Sequence, residues 1–399
     1  LEARTDSGPT DERADALGRM ARICAEQLGD PARAERYLRT LTDIAPSREV
    51  LEQLLGLYGD DQARSADRRV VLGRLCAFGP PWMRRVVALG HMLLDHGERR
   101  WTWCLLSPLV NVSPPPADVK QILMELRKEF EKADNVAALS PQAAQAARHP
   151  DDDTEMTAVL AELGGLVPGL GYGTPEDLGA GGVAKIGEST ALGKSFDHVR
   201  ELLEAGEAGI MRAQELPAAL AVLNGDVPRV VLKTEFLQLL GNAELAWVFA
   251  YALELARPGH RVVASFAEPE WPLVPAALAA AVGFGEAPPA AQALSQRIRE
   301  QVGEAQRAQW AERLAALKGA SPEAIGVRYA GGMFESARRL GTIAAADLRL
   351  VIRVISRMYE EVPKPKTVGR IEEIDEYLAE VPPLQRLLAF AASPEFGQI

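Results

Sequence analysis

The stretch Ala218-Ala219-Leu220-Ala221-Val222-Leu223-Asn224-Gly225-Asp226-Val227-Pro228-Arg229-Val230-Val231-Leu232-Lys233 decides how the C-terminal half of this chain folds. Two short β-prone runs, Ala219–Leu223 and Arg229–Lys233, flank Asn224-Gly225-Asp226. Asn-Gly tolerates the positive φ that a tight hairpin turn demands, so a hairpin with its turn there is expected. Thr234 suits the N-cap of a short helix over Glu235–Leu240, and Asn242 that of a longer helix running to about Ala256. Pro258-Gly259 stops it. Ile210–Ala213 and Val262–Phe266 read as further strands, which confines a small antiparallel sheet to residues of roughly 208–270. Helices dominate the remainder of the chain: Val274–Val282, Ala290–Lys318, Ser321–Leu340, Ala344–Glu361 and a short pair from Arg370 to Phe390.

The run beyond the hairpin, Val230-Val231-Leu232-Lys233-Thr234-Glu235-Phe236-Leu237-Gln238-Leu239-Leu240 and then Glu244-Leu245-Ala246-Trp247-Val248-Phe249-Ala250, resembles the membrane-type zinc metallopeptidases of the HtpX-like family and their soluble relatives. In those proteins a strand and a short helix ending in a leucine pair lead to the active-site helix. That helix opens with Glu-Leu and proceeds into His-Glu-x-x-His. The chemistry needs two imidazoles at i and i+4 facing one Zn²⁺, with the glutamate beside the first as general base. Here those positions hold Tyr251, Ala252 and Leu255. The resemblance, which covers about 45 residues, thus implies an α+β, zincin-like domain with a vestigial site, no bound metal or cofactor and no catalytic residue. Its third ligand position, a carboxylate on a later helix, falls at Glu335. Such a site is expected to be packed shut, with Ala252 and Leu255 buried near Met333 and Phe334. Tyr251 is expected to send its hydroxyl to a backbone carbonyl or a carboxylate. The rival outcome is an open groove lined by Tyr251 and Glu254.

Other chemistry-bearing patterns are incomplete. The histidines are His91, His96, His149, His198 and His260, and no two of them form a ligand pair on the proposed domain's helices. His260, after Pro258-Gly259, reads as exposed. Glu188-Ser189-Thr190-Ala191-Leu192-Gly193-Lys194-Ser195 approaches a P-loop, but the first glycine of that motif is Glu188, whose carboxylate would repel phosphate. Gly169-Leu170-Gly171-Tyr172-Gly173 lacks the third glycine of a dinucleotide fingerprint and leads to Pro175 rather than a helix.

Residues from about 11 to 110 read as helical hairpins. Leu17, Met20, Ala21 and Cys24 form one apolar stripe. Gly29-Asp30-Pro31 makes the turn, Ala34, Leu38 and Leu41 the next stripe, and Pro46 the end. A second pair spans Leu51–Leu75 and a third Trp82–Val110. The period of about 34 residues resembles the tetratricopeptide repeat, with Met20-Ala21 at the family's Leu-Gly, Cys24 at its tyrosine, Ala34 at its small residue and Pro46 at its closing proline. The resemblance implies a partner-binding groove, to which the first hairpin would contribute Arg19, Arg22 and Glu26. Val112-Ser113-Pro114-Pro115-Pro116 is a stiff break, and a helix over Asp118–Lys132 and a glycine-rich loop over Gly164–Gly187 come next. The expected domains are therefore 1–112 (helical repeats), 113–190 (linker helix and loop) and 191–399 (metallopeptidase-like). The whole is mainly α, with α+β confined to the last domain. The order is similar to that of large bacterial proteins in which helical repeats precede a degraded peptidase-like tail.

The net charge of −11 argues against nucleic acid as a partner, because Arg353–Arg370, the most basic stretch, also holds Glu360 and Glu361. Cys24, Cys76 and Cys104 are odd in number and widely spaced, so they read as buried thiols in a reducing compartment. No secretory leader is read at Leu1, and no apolar run long enough for membrane insertion occurs. A cytoplasmic, non-catalytic interaction or scaffold protein with one or more protein partners is the expected function. A small-molecule or peptide-binding module using the degenerate cleft is the alternative, and an unrecognised hydrolase a further one.

Overall fold

A computed structural model describes residues 10–59, 61–130 and 139–397. The protein is mainly helical with one small sheet. The described residues divide into two units: those within 10–130, 347–349 and 365–397 form the first, and 139–346 and 350–364 the second.

The first unit begins with α1 (Thr10–Arg22), a π-helical turn (Ile23–Gln27), α2 (Pro31–Ile44), α3 (Arg48–Tyr58), α4 (Ser65–Leu75), α5 (Trp82–Asp95), α6 (Arg99–Leu106) and α7 (Ala117–Phe130). The last two residues expected for α7 lie outside the described residues. Each helix packs against the next. The starts are written in the sequence: Asp30 accepts from the Arg33 amide at 3.0 Å with Pro31 in the first turn, and Ser47 accepts from the Val50 amide at 3.3 Å. The core is the predicted stripe, with Leu17, Leu38, Leu51, Leu54 and Leu75 all nearly inaccessible.

The second unit holds α8 (Pro141–Ala147), α9 (Thr154–Leu166), β1 (Ala184–Lys185), α10 (Ala191–Leu202), β2 (Gly209–Ala213), β3 (Leu220–Leu223), β4 (Arg229–Lys233), α11 (Thr234–Gln238), α12 (Asn242–Leu255), α13 (Pro258–Ala264), α14 (Leu273–Ala281), α15 (Gln292–Gln301), α16 (Glu304–Arg313) and α17 (Pro322–Ala345). Helix α18 spans Leu348–Met358. Helix α12 is buried almost all round, packed on α17 and on α10, while α9 lies against α13. The helices α19 (Glu372–Ala379), α20 (Pro382–Ala391) and α21 (Pro394–Gly397) return to the first unit and pack on α4, α5 and α6. There Asp375 accepts from the Met83 amide at 2.9 Å and the Trp101 indole donates to the Ala391 carbonyl at 2.6 Å. A Cβ on Gly73 would run into the Ala392 carbonyl oxygen, so this contact depends on glycine.

The hairpin forms where expected: β3 and β4 pair antiparallel from Leu220↔Leu232 to Leu223↔Arg229; the turn, over residues 224–228, is longer than expected, and neither Asn224 nor Gly225 takes the positive φ of a tight turn. The sheet is nevertheless mixed, in order β1-β2-β4-β3, rather than antiparallel. Residues 214–219 carry the chain past the position beside β2, so β3 lies at the edge and β4 returns between them, parallel to β2. Apolar alternation fixes which face a strand buries, not which strand it pairs with. The sheet also spans 184–233, upstream of the range expected, because Val262–Phe266 is not a strand. Pro258 sets the first turn of α13, and Gly259 lets that helix lie on α9, where a Cβ would meet the Thr157 carbonyl. Ala290–Lys318, read as one helix, breaks at Val302-Gly303 into α15 and α16.

Candidate functional site

The last turns of α12 present two sites on different faces, because residues four apart share a face and their neighbours do not. Tyr251, Ala252 and Leu255 are 2%, 0% and 1% exposed. The Tyr251 ring stacks on Trp247 at 5.0 Å between centroids and meets Phe334 edge-on at 6.0 Å. Its hydroxyl pairs with that of Tyr359, not with a carbonyl or carboxylate as expected. Tyr359, one residue beyond α18, reaches Glu268 and Arg338 in turn. Burial raises both tyrosine hydroxyls, Tyr359 to about 12.

Burial here does not mean closure. Tyr251 and Leu255 form part of the wall of a cleft of about 320 Å³, together with Leu220 and Val222 of β3, Phe266, Trp271 and Met358. Its charged lining residues, among those described, are Asp177 and Glu268. Asp177 accepts from the Gly173 and Thr174 amides at 3.0 and 2.9 Å, which holds its carboxyl below the usual range. Glu268 is pushed up, first by burial and then by Glu361, against the pull of Arg338. Glu335, which the resemblance put at a third ligand position, is bound to Arg338 at 3.0 Å.

On another face, Glu254 enters a buried ionic cluster. His260 is 0% exposed, not exposed as the turn before it suggested, because α13 folds its ring under the start of α9. Its Nδ1–H donates to the Glu254 carbonyl at 3.0 Å, and Nε2 stands 2.8 Å from Asp152 Oδ1. Asp152, Glu254 and His260 bring ligand-type atoms within 4.8 Å of one another, the spacing of a metal centre. The space between them is taken by guanidinium groups. Arg257 lies 3.1 Å from Asp152 and 2.6 Å from His260 Nε2, and Arg148 lies 2.9 Å from Glu254. Two carboxylates thus face two guanidiniums, and a dication would have to displace them against their charge. Burial works to raise the Asp152 carboxyl, but the bond and charge of His260 and the charge of Arg257 hold it far below the usual carboxylate range. Thr157 bridges Asp152 at 3.1 Å to the Tyr329 hydroxyl at 2.9 Å. This is an ion-pair network that ties α9, α12, α13 and α17 together. Sequence reasoning missed it; the available signal was a set of polar residues, Glu254, Arg257, His260 and Arg261, inside the largely apolar run Val248–Val263.

Arg19, Arg22 and Glu26 are all exposed, Arg19 paired with Asp15 at 2.6 Å. The near P-loop is a short loop between β1 and α10, capped by Thr190 accepting from the Gly193 amide at 3.0 Å. Cys24, Cys76 and Cys104 are free thiols and buried, which pushes Cys76 up to about 12. No helix among the described residues is long and apolar enough to cross a membrane. No protein-family model matches the chain, and neither a curated protein nor a solved structure matches it.

Proposed function

We propose that this protein is a non-catalytic protein-interaction or scaffold protein whose second unit is a metallopeptidase-like frame that holds an extended segment of a partner beside β3. The supporting observation is the edge position of β3, whose first residues, Leu220 and Ala221, are part-exposed and line the cleft. The Lys233 amide donates to the Ala219 carbonyl at 2.9 Å, which makes that pair hydrogen-bonded. In an antiparallel ladder such pairs alternate, so the Ala221/Val231 and Leu223/Arg229 pairs also bond to each other. The N–H and C=O groups of Leu220 then point away from β4 toward the open edge, whereas Val222 is buried and the following amide, Asn224, donates to the Tyr172 carbonyl at 2.8 Å. An added strand would use those groups for its backbone and the cleft for a side chain. Tyr251 and Leu255, where a zincin carries histidines, supply apolar wall instead of chemistry. The helical array would be a second surface, with Arg19, Arg22 and Glu26 on its first hairpin. Buried free thiols suit a reducing, cytoplasmic setting, and the net charge of −11 disfavours nucleic acid.

Leu220→Pro tests this reading. Proline there removes an N–H that the ladder does not use, so an edge strand tolerates it. Random heptapeptides selected on the wild-type protein should lose binding to the variant, whose circular dichroism should be unchanged. Equal binding to both proteins, or a selection that returns no peptide, would overturn the reading.

A further inference from the structure

The same cleft carries a selectivity that apolar burial does not explain. Its aromatic lining consists of Tyr172, Tyr251, Phe266, Trp271 and Tyr359. These rings are held in place: Tyr172 and Phe266 lie 6.1 Å apart, and Phe334 behind the wall touches Tyr251, Trp271 and Tyr359 at 6.0, 5.4 and 6.4 Å. Ring faces carry negative potential and attract cations. The charged lining residues are both acidic, Asp177 and Glu268, and neither takes part in a salt bridge among the described residues. The cation that acts on Glu268, Arg338, is 3% exposed, bound to Glu335 at 3.0 Å, and lies 3.7 Å from the Phe334 ring centre. It closes the back of the wall, and its charge, shared with Glu335, offsets only part of that of Glu268.

Resting on the peptide-binding reading, we propose that the side chain this cleft accepts is an alkylammonium group, as on a lysine of the docked segment. The aliphatic stem would lie along Leu220 and Val222, and the ammonium would sit among the rings with Glu268 as its counter-ion. A long, flexible stem with a charged tip suits an apolar channel that ends in a carboxylate. Glu268 fits this role because it lies exposed at the cleft beside Tyr359, where a ligand cation can reach it.

The test uses the full chain and calorimetric titration with n-hexylammonium, 1-hexanol, the capped peptide Ac-Ala-Lys-Ala-NH2 and its Nε-acetylated form. Hexylammonium should bind more tightly than hexanol by about tenfold or more, and the lysine peptide more tightly than its acetylated form by a similar factor. Glu268→Gln should remove most of both differences. A lysine peptide bound no better than the free amine would place the affinity in the side chain; tighter binding would add the backbone pairing to β3. Equal binding of charged and neutral probes would overturn the cation selectivity and leave the peptide cleft standing. Failure of all probes to bind would overturn both.

Discussion

On one face of α12, Glu254 joins Asp152 in a cluster where each carboxylate already holds a guanidinium; on another, Tyr251 and Leu255 border a cleft whose carboxylates, Asp177 and Glu268, hold none. The difference arises from the demands of each kind of surface. An unpaired charge in a protein interior costs several kcal/mol, so buried acids gather arginines until their charge is matched. A gap between apolar side chains forfeits only dispersion contacts, which are individually small, and can persist. The cluster therefore serves cohesion, and ligand capture falls to the cleft, where attraction is left over.

The largest effect should come from breaking the cluster. Asp152→Asn leaves Arg257 facing a neutral group and should cost about 3–5 kcal/mol by urea denaturation at neutral pH. The folded Asp152 carboxyl lies below its ordinary value, so it contributes stability that is complete at neutral pH. That contribution is lost as the pH falls below about 4 toward the folded value. The variant should accordingly be closer to the wild type at low pH than at pH 7; a constant difference across the range would remove Asp152 from the network. Leu255→Ala tests the apolar side. Truncating a side chain only 1% exposed should cost about 2–4 kcal/mol, with no change in acid sensitivity. An unaltered melt would mean that Leu255 is exposed in solution. The smallest effect is a gain. Glu204 borders a second cavity, of about 360 Å³, beside Arg148 and Arg257, and adopts φ +47° after α10. Glu204→Gly should stabilise by about 0.5 kcal/mol, since glycine enters the left-handed region without Cβ strain. A loss in the thermal melt would show that the Glu204 carboxylate contributes to that charged cavity.

Local chemistry is legible in the sequence where it acts over a few residues. Asp30 sets a helix start through a bond within its own segment, and the apolar stripe from Leu17 to Leu75 packs as its spacing implies. The place of the hairpin is legible too, but not its turn chemistry: neither Asn224 nor Gly225 takes a positive φ, and Asn224 bonds instead to Leu170 and Tyr172. The cap expected of Asn242 is provided by Glu244 instead, reaching back to the Gly241 amide at 2.8 Å. Long-range pairing is the part that short segments do not encode. Val262 and Val263 favour a strand by propensity, yet contact with α9 makes them helical. His260 reads as a surface residue because Asp152, the residue that justifies burying it, lies 108 positions away. The burial of Tyr251, Ala252 and Leu255 is legible from their helix, whereas the cleft beside them depends on β3, Trp271 and Tyr359 arriving from three other segments.

The return of α19–α21 onto α4–α6 has a consequence for how the chain is made. Residues 134–364, almost all of the second unit, leave the ribosome before the segment that completes the first unit exists. At ordinary elongation speeds, on the order of 15–60 s separates the synthesis of α6 from that of α21. Throughout that interval the seat around Gly73 and the Trp101 ring lacks the Ala391–Ala392 segment that covers it in the folded chain. The helices made first are thus the last to be finished, and their bare apolar face is where a chaperone would hold the nascent protein.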